Sequence, residues 1–335
     1  TTSHNIYIDE NGYAYLAGCR VMNDRDRRGA IILDLNQDPK NPVHVGSETR
    51  NYSHDLFVRD NIMYASEIYV GEVALYDVSD KANPVFLGSA KTSTDFTHNA
   101  WIDDEAKYVF TTDERADAFI DAFDITDPTD IKLLDKFKPL ETENRGVIPH
   151  NTHYHNGFLV TSWYTDGVVI TDVHRPENMV KTGSYDTFLG GDGGFSGCWG
   201  AYPFLPSGLV LASDRQTVLY ILNPNYVRAC YLEGTITNAD NGDLINGANV
   251  EIIAEQLSRG MSDATGTYKT GLAESGTYTV RFSHPDYMPL ELEAELKNGE
   301  VTVLDAQLTP IIEIAFNVNV VDSKSFEPVE NAQIR

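Results

Sequence analysis

The chain has 335 residues, of which 41% are hydrophobic and 10% aromatic, so it can bury hydrophobic cores and is not globally disordered. Its formal net charge is −25 and its isoelectric point is about 4.5, which excludes nucleic acid and anionic lipid as favoured partners because both would be repelled. No apolar run is long enough to span a bilayer, so the sequence does not predict a transmembrane protein.

The first part of the chain repeats itself at a period of about 45 residues. Four segments open on a histidine followed by Asn or Asp and continue with short apolar runs separated by polar turns; these histidines are His4, His54, His98 and His150. A fifth unit begins at "GCWGAYPFLPSG", where Trp199 takes the place of the histidine. Short strands in each repeat, without helical periodicity, predict an all-β protein whose residues 1–228 form a β-propeller with five visible blades.

Two sequence motifs resemble a known family. The segment "LYDVSDKANPVFLG" resembles the LVIVD repeat, and the ordered series "SHN", "SHD", "THNAW", "PHN" and "WGAYPFLPSG" resembles the choice-of-anchor B family. This resemblance implies a bacterial propeller that is secreted or attached to the outer surface. It also implies that further blades precede "SHN", so that N-terminal blades are missing from the visible set.

After Tyr226 the composition changes to Gly-rich turns between strands of alternating polarity. The turn "DATGTY" and the strand "GTYTVRFSHPDY" make residues 231–309 resemble a carboxypeptidase regulatory-like (CNA-B-like) β-sandwich. Residues 312–335 are expected to begin a second, truncated sandwich, because the pattern at 247–250 returns at 331–334. Such modules are typical of stalks, so we expect an independent sandwich with few contacts to the propeller.

Two interpretations of the repeated histidines are open. In the architectural one, each histidine bonds to an Asp of its own repeat, which gives the pairs His4–Asp34, His54–Asp77, His98–Asp124 and His150–Asp172. In the functional one, hairpin geometry returns every second strand to the face where its histidine began. That face would gather His4, His54, His98, His150, His153, Trp163, Trp199 and Arg215 with the carboxylates of Glu67, Asp113, Glu114 and Asp214.

Histidines and carboxylates at a channel mouth suit a divalent cation. We expect any such ion to be calcium rather than zinc, with Glu67, Asp113, Glu114 and Asp214 as its carboxylate ligands; the alternative is no cofactor. In the stretch "VIPHNTHYHNG", His153 and His155 lie on the opposite side of a strand from His150. No HExxH motif of a zinc protease occurs in the sequence.

The three cysteines, Cys19, Cys198 and Cys230, lack the spacing of a cysteine zinc site. Two arrangements are open. One is a Cys198–Cys230 disulfide that leaves one free thiol, and the other is three buried free thiols.

The leading functional hypothesis is a secreted or cell-surface-attached binding or scaffold protein, with a propeller head on a sandwich stalk. Its expected partner is a cell-surface protein or glycan, and its expected location is extracellular or on the bacterial outer surface. The sequence has no P-loop, dinucleotide fingerprint or GxSxG motif, which favours a protein that is not an enzyme. The alternative is a metal-dependent hydrolase or lyase acting at the channel mouth, which the histidines and carboxylates favour.

Overall fold

The computed structural model describes residues 2–20, 27–312, 318–330 and 332. These residues form strands, turns and bends, and no helix occurs among them, so the all-β prediction is confirmed. It follows that nothing in these ranges qualifies as a membrane-spanning helix by length and apolarity.

The first 222 residues contain five successive antiparallel sheets, in which the strands lie side by side in chain order. Sheets 1 and 2 consist of β1 (Asn5–Ile8), β2 (Tyr13–Arg20), β3 (Arg27–Asp34) and β4 (Val43–Glu48), then β5 (Asp55–Arg59), β6 (Ile62–Glu67), β7 (Glu72–Asp77) and β8 (Val85–Lys91). Sheets 3 and 4 consist of β9 (Thr97–Ile102), β10 (Tyr108–Asp113), β11 (Ile120–Asp124) and β12 (Lys132–Phe137), then β13 (Thr152–His155), β14 (Phe158–Ser162), β15 (Val168–Asp172) and β16 (Val180–Tyr185). Sheet 5 consists of β17 (Cys198–Tyr202), β18 (Val210–Asp214) and β19 (Leu219–Leu222).

A β-bulge recurs between the third and fourth strands of the four-stranded sheets. It lies at Ile32/Leu33, Leu75/Tyr76, Ala122/Phe123 and Ile170/Thr171. Because a bulge bends its strand and increases the local right-handed twist, each of these sheets is distorted at the same point. The repeated bulge identifies the four sheets as structural copies of one sequence repeat.

Hydrophobic clusters fill the junctions between neighbouring sheets. Shared clusters contain, from consecutive sheets, Ile32 with Met63, Phe57 with Ile102, Phe110 with Leu159, and Val160 with Ala212. The first strands of consecutive sheets also contact one another, from β1 through β5, β9 and β13 to β17. These five strands therefore lie along one common inner surface.

The C-terminal part forms two sheets around a core of its own, and the sandwich expectation is consistent with this arrangement. Its strands are β20 (Cys230–Asn238), β21 (Asn249–Ile253), β22 (Arg259–Met261), β23 (Thr267–Leu272), β24 (Gly276–His284), β25 (Tyr287–Leu296), β26 (Val301–Val303) and β27 (Ala306–Leu308). One sheet has the order β23-β20-β26, with β27 also paired to β20, and the other has the order β22-β21-β24-β25. Leu232, Tyr268 and Phe282 are buried between them.

The sandwich is fixed against sheet 4, so the expectation of few contacts is wrong. Val180 of β16 is buried in one cluster with Ala229 and Tyr231. Arg175 donates hydrogen bonds to Glu233 from Nε at 3.2 Å and from Nη2 at 2.9 Å. The composition change in the sequence marks the start of a new pair of sheets, but apolar and charged side chains join these sheets to sheet 4.

A cleft of about 620 Å³ lies along the same interface, between the outer strands of sheets 3 and 4 and the sandwich. Glu143 accepts a hydrogen bond from Arg259 of the sandwich at 2.7 Å and lies 3.5 Å from the Nζ atom of Lys138. Glu143 thus pairs with two basic side chains of the cleft wall, and we interpret the cleft as part of the interface.

All three cysteines are free and buried, so the Cys198–Cys230 disulfide is wrong and the three-thiol alternative is confirmed. Cys198 lies in the junction between sheets 4 and 5, whereas Cys230 lies in the sandwich core. Burial raises the pKa of Cys198 to about 12 and that of Cys230 to about 11, which keeps both thiols protonated.

Part of the expected second sandwich lies outside the described residues, since 313–317, 331 and 333–335 are not among them. Between these ranges, Val321 and Pro328 form an isolated antiparallel bridge. The proposed echo at 331–334 thus stays a prediction from the sequence.

We predict that Glu233→Gln destabilises the chain by about 1–3 kcal/mol, because it weakens a charge-assisted bond at a largely buried interface. The matched control is Glu291→Gln, which removes the charge from the exposed Arg281–Glu291 pair and should cost less than about 1 kcal/mol. Urea unfolding of the three proteins measures both values. Equal losses in the two variants would show that the interface pair contributes no more than a surface pair.

Candidate functional site

Four imidazole rings lie in a row, each tilted against the next, where the first strands of sheets 1 to 4 begin. The ring centroids are 4.0 Å apart between His4 and His54, 4.7 Å between His54 and His98, and 4.4 Å between His98 and His150. At sheet 5 the indole of Trp199 continues the row, 5.1 Å from His150. We call these five rings the histidine ladder.

Backbone carbonyls hold two of the imidazoles in place. Nδ1 of His98 donates to the carbonyl of His150 at 3.2 Å, and Nδ1 of His150 donates to the carbonyl of Trp199. Because a carbonyl oxygen only accepts, both Nδ1 atoms carry a proton, and in the neutral rings both Nε2 atoms keep a lone pair. The side chain that marks one repeat is therefore oriented by the backbone of the next.

Glu114 reaches the ladder from the segment that follows β10. Its Oε2 lies 3.6 Å from Nε2 of His98, and its Oε1 lies 3.7 Å from Nε2 of His150. Tyr164 donates its hydroxyl hydrogen to Oε1 at 2.6 Å and so fixes the carboxylate. Since both nitrogen–oxygen distances exceed hydrogen-bond length, acceptor atoms face one another across a gap that no hydrogen bond bridges.

Burial controls the protonation of this cluster. It lowers the pKa of His54 and of His150 to about 4, and it holds the pKa of His98 well below its ordinary value of 6.5. Burial also raises the pKa of Glu114, an effect that the hydrogen bond from Tyr164 opposes. The imidazoles of His54, His98 and His150 are therefore neutral at physiological pH, which is the form that binds metal ions.

Glu114 is the one member of the four predicted carboxylate ligands that lies beside the ladder. The other three end the second strands of their sheets and bind the segment that leads into the same sheet: Glu67 accepts from Asn51 at 2.5 Å, Asp113 from Thr94 at 2.5 Å, and Asp214 from Thr187 at 2.8 Å. Their recurrence along the sequence therefore reflects an architectural role, since each one fastens the connection between two sheets.

The solvent edge of the ladder is formed by the Gly-rich loop and the end of β18. Phe195 is 52% exposed, and its ring lies 5.5 Å from that of Tyr164. Arg215 is exposed and donates to the carbonyl of Phe195. Trp199 is half-exposed, whereas Trp163 is buried between sheets 3 and 4 and lies away from this edge.

A second row of rings begins three residues beyond the ladder histidines of sheets 1 to 4 and ends at Phe204, which follows β17. Its centroids are separated by 5.0 Å, 4.3 Å, 4.8 Å and 5.6 Å in the order Tyr7, Phe57, Trp101, His153 and Phe204. His150 and His153, which are neighbours in one short stretch of sequence, thus belong to two successive rows. His153 packs in an aromatic layer and does not join the cluster around Glu114.

The architectural pairing of each histidine with an Asp is wrong. The carboxylates at the ends of the third strands accept from nearby turn residues instead: Asp34 from Asn36, Asp77 from Ser79, Asp124 from Thr126, and Asp172 from His174. These bonds close the Asp- and Pro-rich turns, which explains why an Asp recurs there.

Sequence reasoning missed the polar layer between the two rows. Asp55 accepts hydrogen bonds from Asn5 at 2.6 Å and from Asn99 at 3.0 Å, while Asn99 accepts from the backbone of Thr152 at 3.0 Å. The signal was present, because an Asn or Asp follows every ladder histidine. Tyr164 was missed as well, and it lies outside the repeated motif.

Comparison with known proteins supports the C-terminal assignment and the fold. Residues 231–309 match the carboxypeptidase regulatory-like domain. A crystal structure of a protein from Lactobacillus plantarum, a structural genomics target, is similar over 84% of this chain and 81% of its own, with 7% sequence identity and a TM-score of 0.50. The computationally designed Ika8 protein matches 79% of this chain and 69% of its own, with 10% identity and a TM-score of 0.44. No curated protein matches the sequence.

We predict that His153 makes the chain less stable as the pH falls from about 6.5 to about 4, because burial lowers its folded-state pKa to about 4 and the unfolded chain then binds the proton more strongly. Over this range the free energy of unfolding of the wild type should fall, relative to that of His153→Gln, by up to about 3 kcal/mol. Urea unfolding of both proteins across this pH range measures the difference. A pH-independent difference would contradict a neutral, buried His153.

Proposed function

We propose that the chain is a binding or scaffold protein of the extracellular space or the bacterial outer surface. In this proposal residues 1–228 are blades of an LVIVD-type β-propeller, carried on the sandwich at 231–309. Support for the propeller comes from the contacts among the five first strands and from the two rows of rings that cross them. The proposed partner is a cell-surface glycan or protein.

Both ends of the series of sheets present apolar side chains to solvent. Ile6 and Ile8 of β1 are 54% and 55% exposed, and Leu219 and Ile221 of β19 are 58% and 65% exposed. Exposed apolar patches of this kind are typical of surfaces that pack against another element. We propose that further blades of the same repeat pack there, in line with the resemblance to longer propellers.

The observation that carries the binding function is the solvent edge of the histidine ladder. Phe195, Trp199 and Arg215 surround a polar cluster of neutral imidazoles and a carboxylate. Aromatic and arginine side chains at an exposed surface are the groups that most often dominate binding energy. A partner with both apolar and hydroxyl or carbonyl groups fits this edge.

A metal-dependent hydrolase or lyase is the second candidate, and one observation favours it. Glu114 has a raised pKa and stands between two imidazole Nε2 atoms, with the Tyr164 hydroxyl on one of its oxygens. A carboxyl group of this kind can serve as a general base beside a metal-bound water. The binding function ranks first because the solvent edge of the ladder carries two exposed aromatic side chains, Phe195 and Trp199.

We predict that the labelled wild-type chain binds members of a glycan array or an extracellular-protein array, and that Phe195→Ala weakens the binding at least about ten-fold by removing an exposed aromatic anchor. The matched control is Tyr185→Ala, which removes an equally exposed ring from the outer strand of sheet 4 and should leave binding unchanged. Failure of the wild type to bind either array, or equal losses in the two variants, would count against a binding surface at the ladder.

A further inference from the structure

We infer that His54, His98 and Glu114 bind a divalent transition-metal ion of the zinc class, with His150 as the adjacent nitrogen donor. Possible ligand atoms of the first three side chains lie within 4.8 Å of one another. This inference deepens the proposed function and rests on it, since the ion would lie beside the proposed binding face, where either His150 or a polar group of the partner would fill its fourth coordination position.

The distances suit a small ion. Ligands of one tetrahedral zinc, at about 2.0–2.2 Å from the metal, lie roughly 3.4 Å apart. His98 Nε2 and Glu114 Oε2 are already separated by 3.6 Å, and His150 Nε2 and Glu114 Oε1 by 3.7 Å. A ring nitrogen of His54 lies within 4.8 Å of the other two donor atoms.

An unpartnered atom points to the same ligand. Nε2 of His54 is buried and has no hydrogen-bond partner in the described structure. A buried polar atom without a partner is destabilising, and facing acceptor atoms repel one another as well. A cation between the imidazoles and the carboxylate removes both costs at once.

The surroundings of the proposed ligands resemble the outer shell of metal sites. A ligating histidine usually donates its second ring N–H to a carbonyl or carboxylate, which orients the ring and fixes its tautomer. The carbonyl of His150 does this for His98, and the carbonyl of Trp199 does it for His150. The Tyr164 hydroxyl restrains Glu114 in the same way.

The donor atoms select the class of metal. Calcium takes six to eight oxygen ligands, whereas zinc and its neighbours accept imidazole nitrogen together with a carboxylate oxygen. The expectation of calcium also relied on three further carboxylates, and these accept hydrogen bonds from the segments between sheets instead: Glu67, Asp113 and Asp214. The cluster supplies mainly nitrogen, and therefore favours zinc over calcium.

The test uses the full chain after treatment with a chelator. CoCl₂ should give the visible absorption of a tetrahedral Co²⁺ site, saturating at one ion per chain, and ZnCl₂ should displace the cobalt. CaCl₂ should do neither. His98→Gln and Glu114→Gln should weaken the binding of zinc at least about 100-fold, and Tyr164→Phe about 10-fold, since it removes an outer-shell bond.

Two controls separate this site from surface binding. Asp113→Asn changes the carboxyl group that precedes Glu114 in sequence, and this group accepts a hydrogen bond from Thr94. His284→Gln changes a histidine of the sandwich. Both variants should bind zinc as the wild type does. Absence of cobalt absorption in the wild type, or undiminished zinc binding by Glu114→Gln and His98→Gln, would overturn the inference. If a ligand variant fails to fold, the weaker zinc binding expected of Tyr164→Phe still tests the inference.

The outcome is separable from that of the proposed binding function, because metal ions alone are the probe. Zinc binding by a chain that binds neither array would uphold the metal site and reject the binding function. Array binding by a chain that takes up no zinc or cobalt would reject the metal site alone.

Discussion

The constraint on which the five-sheet part depends is the satisfaction of polar groups along its inner strands. Each first strand is the edge of its sheet, so some of its carbonyl and N–H groups have no partner within that sheet. The preceding repeat supplies the partners: His98 donates to the carbonyl of His150, His150 donates to that of Trp199, and Asn99 accepts from the backbone of Thr152. The repeated His–Asn motif is thus a device that joins neighbouring sheets.

In this arrangement the histidines that join neighbouring sheets are also the candidate metal ligands. In His98 and His150, Nδ1–H donates a hydrogen bond to a backbone carbonyl, and burial keeps both rings neutral. The Nε2 atom of each ring therefore keeps its lone pair. Glu114 then faces two such lone pairs at distances too long for hydrogen bonds. The architecture therefore produces a set of donor atoms suited to a metal ion, whatever partner binds at the solvent edge of the histidine ladder.

The fold class and the repeated strands could be predicted from sequence because apolar alternation and turn residues are local signals. The grouping of His54, His98 and His150 was predictable for the same reason, since equivalent positions of equivalent repeats must lie in one layer. The hydrogen bonds by which Glu67 and Asp113 hold the segments between sheets could not be predicted. Hairpin geometry gives the end of the sheet that a side chain reaches, but it does not give the hydrogen-bond partner of that side chain. The tie between Arg175 and Glu233 was hidden as well, since it joins residues far apart in sequence.

The measurement that tests the central claim most directly is the tautomeric state of the ladder histidines, read from the ring nitrogen shifts of ¹⁵N-labelled, metal-free protein by nuclear magnetic resonance. The account predicts neutral rings for His98 and His150 at neutral pH, with the proton on Nδ1 and a bare Nε2. Rings protonated on Nε2, or positively charged at neutral pH, would contradict it, because neither form is both held by the neighbouring carbonyl and free to bind a metal.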